Sequence, residues 1–485
     1  MLILALESST TSSKAMLLNT DTGETEVRSK VFPVGDDISL HDPELVFQTM
    51  ARLGRELAAG RDVQVLALSN TWHSVMLCDR DMKPLTPIYQ WTNTEASGVC
   101  KPLRRDDAYT QEYYHKTGCM VNAIFPFFKL KMFKERGYDI SKHKIVGQGT
   151  YNTWRLTGQW VVTDAVASGS GLLNTHTKKF DPDLLAELGI SESNLGRLIT
   201  YMDTLTLSDA GADLLGLKRG IPVVAGMPDG ALNQVGSKAV KDGVMILMLG
   251  TSGSVRFATP EPRIPKTPST WCYVGPDTWI SGAATSGCCN CVDWFIAGAY
   301  DGKVDYAGLD AEASRIKGDT PVFLPFVFGE RCPGWDDDRS GGFLLLKPSH
   351  TRVDMYRAIL EGTLFNLYHC FEALRSVNGP PKTIKLSGGI LNSGVWTQMA
   401  ADIFNHPLIP DDIPHASAMG AAYLACRVMG IDEYSIPAPA TGKTAGEDER
   451  DAGCKTVNPD PEAVKAYTEK YARYRECYAR TAPGA

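Results

Sequence analysis

The sequence predicts an α/β fold assembled from two similar halves, and three features carry that prediction. Short apolar strands alternate with helical stretches, the order expected of an α/β chain. A hydroxyl-rich hairpin opens the chain, and a second of the same design returns over residues 244–257. At 485 residues the chain has room for about three units of ordinary size, or two large ones.

Residues 2–18 read as two apolar runs, Leu2 to Leu6 and Ala15 to Leu18, around a small polar turn, which is the pattern of a β-hairpin. The second copy runs from Val244 to Leu249, through Gly250-Thr251-Ser252-Gly253-Ser254, into Val255-Arg256-Phe257. Between them, Val63 to Ser69 and Val223 to Gly226 are short buried strands that end near polar loops. Asp354 to Ser376 is a helix, with Leu360, Leu364, Leu367, Phe371 and Leu374 recurring at gaps of 4, 3, 4 and 3. Lys382 to Leu386 leads into Ser387-Gly388-Gly389, and Val395 to Phe404 is helical again. Residues 435–460 are rich in Pro, Ala, Gly and charge and read as a linker or long surface loop. Pro461 to Arg480 is then a helix with Tyr467, Tyr471, Tyr474 and Tyr478 on one face, a seam that docks it onto the body.

Composition narrows the class. Apolar residues at 43% and charged residues at 22% exclude disordered and fibrous chains. With 49 basic and 56 acidic side chains the net charge is −7, and no dense Lys/Arg block points to nucleic acid. The opening apolar run stops at Glu7, too soon for a secretory core, and no run approaches the roughly 18–20 residues of a membrane span. The 12 cysteines are scattered, which fits free thiols in a reducing cytoplasm. Cytoplasmic location is therefore the expectation, and a homodimer, the commonest symmetric state, is a candidate assembly.

Three segments carry chemistry. The turn from Ser8 to Lys14 offers hydroxyls, successive N–H groups and one ammonium, a set that can wrap phosphate oxygens. The turn Gly250-Thr251-Ser252-Gly253 repeats it, and two such cradles face to face would grip a polyphosphate. Asp229 follows a strand in Val223-Val-Ala-Gly-Met-Pro-Asp229-Gly, where a carboxylate can take the proton of an attacking hydroxyl. Taken locally, Asp before Gly is also an ordinary turn-former. Gly442-Lys443-Thr444 is not a P-loop, because Pro437 stands at the first glycine position and no strand leads in. Cys288 and Cys291 lack the further ligands of a zinc site and read as small buried thiols.

Assembled in order, these segments resemble the FGGY carbohydrate kinases of the sugar kinase/Hsp70/actin superfamily, from about residue 2 to 430. The similar stretches are Leu4 to Ala15, Ser69-Asn-Thr-Trp-His73-Ser, Pro84 to Trp91, Arg155-Leu-Thr-Gly158 with Thr163-Asp164, and Gly226-Met-Pro-Asp229-Gly. Leu249-Gly-Thr-Ser252, Phe323-Leu-Pro-Phe, Gly329-Glu-Arg331-Cys-Pro333, Ser387-Gly-Gly389 through Ser393, and Gly420-Ala-Ala continue the series. The resemblance implies two actin-like, ribonuclease H-like domains around a deep cleft, bounded at 1–238 and 239–435, with 436–485 as surface loop and docking helix. It implies a sugar bound mainly to the first domain, ATP to the second and Mg²⁺ between them. Asp229 would be the base, and Thr10, Thr11, Ser12 and Lys14 with Gly250 and Thr251 would hold the phosphates. Gly388, Gly389 and Ser393 would border the nucleotide, His73, Trp91 and Asn93 would line the sugar pocket, and Glu7 would face the metal.

Several positions depart from the family's pattern. Glu7 stands for the usual Asp, Ser9 for Gly, and Cys288-Cys289 for a frequent Gly pair. After Trp91 the family's Asp and Arg are Asn93 and Glu95 here. The overall style, through Trp-His73-Ser, Thr270-Trp-Cys-Tyr273 and Phe365-Asn-Leu-Tyr, favours gluconate, whereas the sign of Glu95 gives weight to a neutral sugar or polyol. The competing readings are a xylulose, ribulose or polyol kinase and a degenerate, non-catalytic sugar-binding regulator. A chaperone-like ATPase fits less well, since the chain has no extra substrate-binding domain.

Overall fold

Both expected hairpins form, and each lies inside a six-stranded sheet. The computed structural model describes residues 1–32, 37–316, 318–411, 413–437 and 455–482. In the first sheet β1 (Leu2–Ser8) pairs antiparallel with β2 (Ser12–Asn19), setting Glu7 opposite Lys14 and Ser8 opposite Ser13. β3 (Thr25–Val31) extends the meander beyond β2. On the other side β4 (Val63–Asn70) lies parallel to β1, then β5 (Leu205–Thr206) closes the edge outside β6 (Pro222–Pro228). The second sheet repeats this arrangement. β7 (Val244–Leu249) and β8 (Gly253–Thr259) form its hairpin, and β9 (Trp271–Gly275) and β10 (Thr278–Thr285) extend it beyond β8. β11 (Thr383–Ser387) and β12 (Leu408–Pro410) add in parallel beside β7. The halves therefore share a central hairpin, an antiparallel neighbour on one side and two parallel strands on the other. Their extra strands, β5 and β9, sit at opposite ends.

Alternation in β1 sends Leu4 and Leu6 to one face and Ile3 and Ala5 to the other, and all four are fully buried. A sheet with parallel strands needs cover on both faces. Helix α1 (Pro43–Ala58), capped by Asp42, supplies Phe47, Met50 and Leu57 to the first face. The second face is covered by α2 (Asp229–Gly236) and by a helix from far along the chain. That chain first forms α3 (Arg352–Asn378), started by the Thr351–Asp354 capping box and burying Leu360, Leu364, Leu367 and Leu374 as the periodicity predicts. It continues through α4 (Gly394–Phe404) to α5 (Ala416–Val428), whose Ala421, Ala422 and Ala425 pack with Ile3 and Ala5. α2 and α5 cross in backbone contact. A Cβ on Gly236 would lie 1.9 Å from the Ala416 oxygen, and one on Gly420 would lie 1.9 Å from the Leu232 oxygen. That close approach is the physical content of the Gly420-Ala-Ala motif.

The tyrosine seam docks as expected. In α6 (Pro461–Arg480) the rings of Tyr467, Tyr471 and Tyr474 lie 6.3, 5.7 and 5.6 Å from Phe365 of α3. Of the loop expected over 435–460, residues 438–454, with Gly442-Lys443-Thr444, lie outside the described residues. Between β4 and β6 the first half carries small helices and two-stranded sheets that reach the second half. Gly118, left-handed at φ 68°, accepts from the Cys272 N–H of β9 at 2.9 Å, and a Cβ there would fall 2.0 Å from the Cys272 oxygen. The described cysteines are free, and all but Cys289 are buried. Among the described residues no helix is long and apolar enough to cross a membrane.

Candidate active site

The parallel strands of the first half end at a crevice walled on its far side by the second hairpin, the place where open α/β sheets bind their ligands. Glu7 and Ser8 end β1, Thr71-Trp72-His73 follows β4, and Asp229 follows β6, whose last residue Pro228 is level with Asn70. A cavity of about 310 Å³ opens there. Thr10, Trp72, His73, Trp91 and Asp229 line it from the first half. Ser252, Gly253, Ser254 and Arg256 of the second hairpin close it from the other, so the two hydroxyl-rich turns do meet at one space.

Asp229 is the first residue of α2, and its Oδ1 accepts the Gly230 N–H at 2.7 Å. One face meets the cavity and the rest is enclosed, so the group is only partly accessible yet poorly hydrated. Desolvation first, and the nearby Glu7 carboxylate second, push its pKa up from 3.8 to about 6. Arg256, 5% exposed on β8, offsets part of this. It donates to the Gly230 oxygen at 2.7 Å and to Asn233 at 3.4 Å, and burial lowers its own pKa to about 10. Glu7 is buried and fully engaged: Lys14 reaches its Oε1 at 2.6 Å, Ser69 its Oε2 at 3.2 Å, and Ser417 of α5 donates to the same Oε2. Two carboxylates thus share the crevice beside one ammonium, a donor set that suits a divalent cation carried on phosphate oxygens. Among the described residues no three His, Cys, Asp or Glu side chains gather into a self-sufficient metal site.

His73 sits in the left-handed region at φ 59°, with Nδ1 2.6 Å from the Gly169 oxygen. Desolvation drives its pKa down to about 3, so the ring is neutral, Nδ1–H donates and Nε2 is left as an acceptor. Around it stand Trp72, stacked at 5.7 Å, and Tyr273 at 5.4 Å, which itself stacks on Trp271 at 4.5 Å. The Trp91 indole N–H donates to the Thr10 hydroxyl at 2.9 Å, tying the expected sugar-site tryptophan to the phosphate turn. Ser254 Oγ, Arg256 Nε, Trp271 Nε1, Tyr273 Oη and Arg331 Nε all belong to lining residues and are buried with no hydrogen-bond partner among the described residues. Buried polar atoms are nearly always paired. Five such atoms in residues of one cavity make its wall rich in unused polar groups.

Other expected residues fall around this space or away from it. Gly250, Thr251, Gly388 and Gly389 are not among the residues that line the cavity, and Gly388 packs against Leu249 and Gly250 at the second turn. Cys289 N–H donates to Gly250 O at 2.9 Å, and a Cβ on Gly388 would fall 2.3 Å from Leu249 O. Thr11 and Thr251 are exposed at their turns, and Ser12 closes the first turn on Ser9. Cys289 fills room next to Gly389, while Cys288 and Cys291 are inert, with burial raising their thiol pKa values. Ser393 is spent structurally, capping α4 through Trp396 N–H at 3.0 Å and donating to Asp310 at 2.6 Å. Asn93 is 2% exposed, its amide bonded to Ser39 and Glu95, and it does not line the cavity. Glu95 pairs with Arg136 at 2.6 Å and is also absent from the lining, so its charge is partnered outside the cavity.

The cavity wall is shared between the halves. Trp271, Tyr273 and Arg331 come from the second half, because the Gly118 contact seats β9 against the first half's insert. Sequence reasoning did not single out Arg256 or Arg331 as cavity cations. An arginine inside the otherwise apolar Val255-Arg256-Phe257 run was the available signal.

Comparison with known proteins agrees with this geometry. Residues 2–236 match the N-terminal domain of the FGGY family of carbohydrate kinases, and residues 245–429 match its C-terminal domain. The gluconokinase of Bacillus subtilis (strain 168) is 28% identical over 466 residues, covering 91% of this chain and 90% of that protein. The fold superposes on the crystal structure of gluconate kinase from Lactobacillus acidophilus with a TM-score of 0.88 at 24% identity, over 99% of this chain and 98% of that one. It superposes equally on ligand-bound xylulose kinase from the same organism, with a TM-score of 0.89 at 24% identity, over 100% and 99%. With two ribonuclease H-like halves closing on one polar crevice and both family domains matched in order, the chain belongs to the FGGY family of carbohydrate kinases.

Proposed function

We propose that this kinase transfers the γ-phosphoryl group of ATP to a hydroxyl of a gluconate-like sugar acid, with Asp229 as general base. The observation that carries the reading is Asp229 itself, a carboxylate with pKa raised to about 6, opening a helix in a cavity bordered by Thr10 and Ser252 of the two phosphate-type turns. Such a base is ionised at neutral pH yet basic enough to accept the proton. Attack forms the new oxygen–phosphorus bond, the bond to the β-phosphate oxygen breaks, and the acceptor's proton passes to Asp229. The transition state is loose, so the chain's contribution is alignment and charge stabilisation. His73 Nε2 would accept from a second hydroxyl and fix the acceptor's rotation. Lys14 and the N–H groups of both turns would face the phosphates. Mg²⁺, when bound, would neutralise charge on the phosphate oxygens, with Glu7 as its anchor on the chain. The two domains closing on the acceptor would exclude water from the phosphoryl group.

The acid is favoured over a neutral acceptor by the gluconokinase relative and by the two guanidinium groups, Arg256 and Arg331, that line the cavity. A coupled ADP-release assay across gluconate, xylulose, ribulose, glycerol and erythritol tests the reading. Gluconate is expected to give the highest kcat/KM. Asp229→Asn should retain ATP binding and lose roughly 10²–10⁴ in turnover. Near-wild-type turnover in that variant would remove Asp229 from the mechanism, and binding without ADP from any acceptor would favour a regulator.

A further inference from the structure

We propose that Arg331 is the specificity residue that reads the acceptor's carboxylate, a role that rests on the sugar-acid reading above. Its main chain is fixed from several sides. Cys332 N–H donates to Ala284 O at 3.1 Å, and Trp335 N–H donates to Arg331 O at 2.6 Å. The adjacent carboxylate that would otherwise neutralise it, Glu330, is 1% exposed and already occupied. Its carboxylate accepts from Arg339 at 2.8 Å, from the Tyr478 hydroxyl at 2.6 Å and from the Gly334 N–H at 3.1 Å. Arg331 is therefore held in place without being discharged.

Its side chain is uncommitted. The guanidinium lies 5.2 Å from the centre of the Trp91 ring and donates no hydrogen bond among the described residues, and Nε is buried and unpaired. Arg256, the other cation in the lining, is different: it is bonded to Gly230 and Asn233 and stands beside the base. The charge of Arg331 instead bears on His73 and Tyr273, which places it at the aromatic part of the cavity. A guanidinium held over an indole ring presents a planar fork of N–H groups, the geometry that grips a carboxylate through two bonds. The Tyr273 hydroxyl, buried in the same lining, is likewise unpaired. A sugar acid bound this way keeps its charge at Arg331 and offers a hydroxyl to Asp229.

The test compares D-gluconate with D-glucitol, which replaces the carboxylate by a neutral CH₂OH, and with D-xylulose, in wild type, Arg331→Gln and Arg331→Lys. Thermal melting and ATP binding check that the variants fold. Arg331→Gln is expected to raise the gluconate KM about 10- to 100-fold with kcat changed less than about threefold, the signature of a lost charge-assisted pair. The neutral acceptors should keep their KM, and Arg331→Lys should fall between. An unchanged gluconate KM would overturn the proposal. So would an equal loss for every acceptor, which would assign Arg331 to the phosphoryl group instead. If no acceptor yields ADP, the kinase assignment fails separately, and calorimetric titration with gluconate decides this one. Weaker binding in Arg331→Gln than in wild type supports it, and absence of gluconate binding to wild type refutes it.

Discussion

The two halves have the same sheet and opposite walls. From the first half the crevice receives carboxylates, Asp229 directly and Glu7 behind it, together with a neutral imidazole at His73. From the second it receives two guanidiniums, Arg256 and Arg331, and neutral donors at Ser254, Trp271 and Tyr273. Even the hairpins divide this way. The pair opposite one another near the first turn is Glu7 and Lys14, whereas the second has Met248 and Ser254. The two backbones share one geometry, and the side chains make one wall acidic and the other basic. Where the walls meet, Arg256 stands beside Asp229 through its bond to the Gly230 oxygen, and low dielectric strengthens that attraction.

The largest predicted effect comes from forcing the walls apart. Gly420→Ala introduces a Cβ that would lie 1.9 Å from the Leu232 oxygen, backbone that cannot rotate away. α5 must lift from α2, the helix that begins with Asp229, so both the joint and Asp229 move. A loss of about 3 kcal/mol in denaturant melts is expected, with turnover falling further than Gly298→Ala, whose Cβ would meet nothing within 4 Å. Equal behaviour of the two variants would show that the helix crossing does not set the relation between the halves.

How much of this contrast was legible beforehand depended on distance along the chain. The hairpins, the strand before Asp229, the periodicity of α3 and the tyrosine face of α6 are local patterns, and each formed within a few residues of its expected bounds. Arg331 was visible only as a letter in a motif. Its freedom depends on Glu330 being consumed by Arg339 and by Tyr478 of α6, contacts that no local window contains. The surroundings of Asn93 and Glu95 were hidden for the same reason. They lie within four residues of Trp91, but their partners Ser39 and Arg136 are far from them in sequence. Ser393 occupies a family position, yet Asp310 and the start of α4 take its hydroxyl.

A second prediction sharpens the contrast between the hairpins. Lys14→Met leaves Glu7 buried beside Asp229 without its ion pair. Two effects should follow: a loss of about 1–3 kcal/mol, moderated because Lys14 is 23% exposed, and a fall in kcat from lost charge at the phosphates. Ser254→Ala, at the place in the second hairpin nearest that pair, removes an unpartnered hydroxyl and should leave stability almost unchanged while raising the acceptor KM. Thermal melts and steady-state rates on both proteins separate the outcomes. Matching losses would mean that the hairpins share one role.

The smallest effect concerns the stress stored on the first wall. Asp229 titrates near 6 when folded against about 3.8 when free, so ionising it costs the folded state more than the unfolded one. The sign follows directly. Below about pH 3.8 both states are protonated and the group costs nothing, whereas above pH 6 it is charged in both and the full penalty applies. Asp229→Asn should therefore be more stable than wild type by about 1–2 kcal/mol at pH 8, after discounting for the face open to the cavity. That gain should shrink between pH 6 and pH 4 and vanish below, read as the difference in melting temperature across the series. Loss of kcat together with a pH-dependent gain in stability identifies a residue kept charged for its chemistry. A pH-independent difference would place the stress elsewhere, on Glu7 or on the packing of α2, and the two walls would then differ in composition without differing in strain.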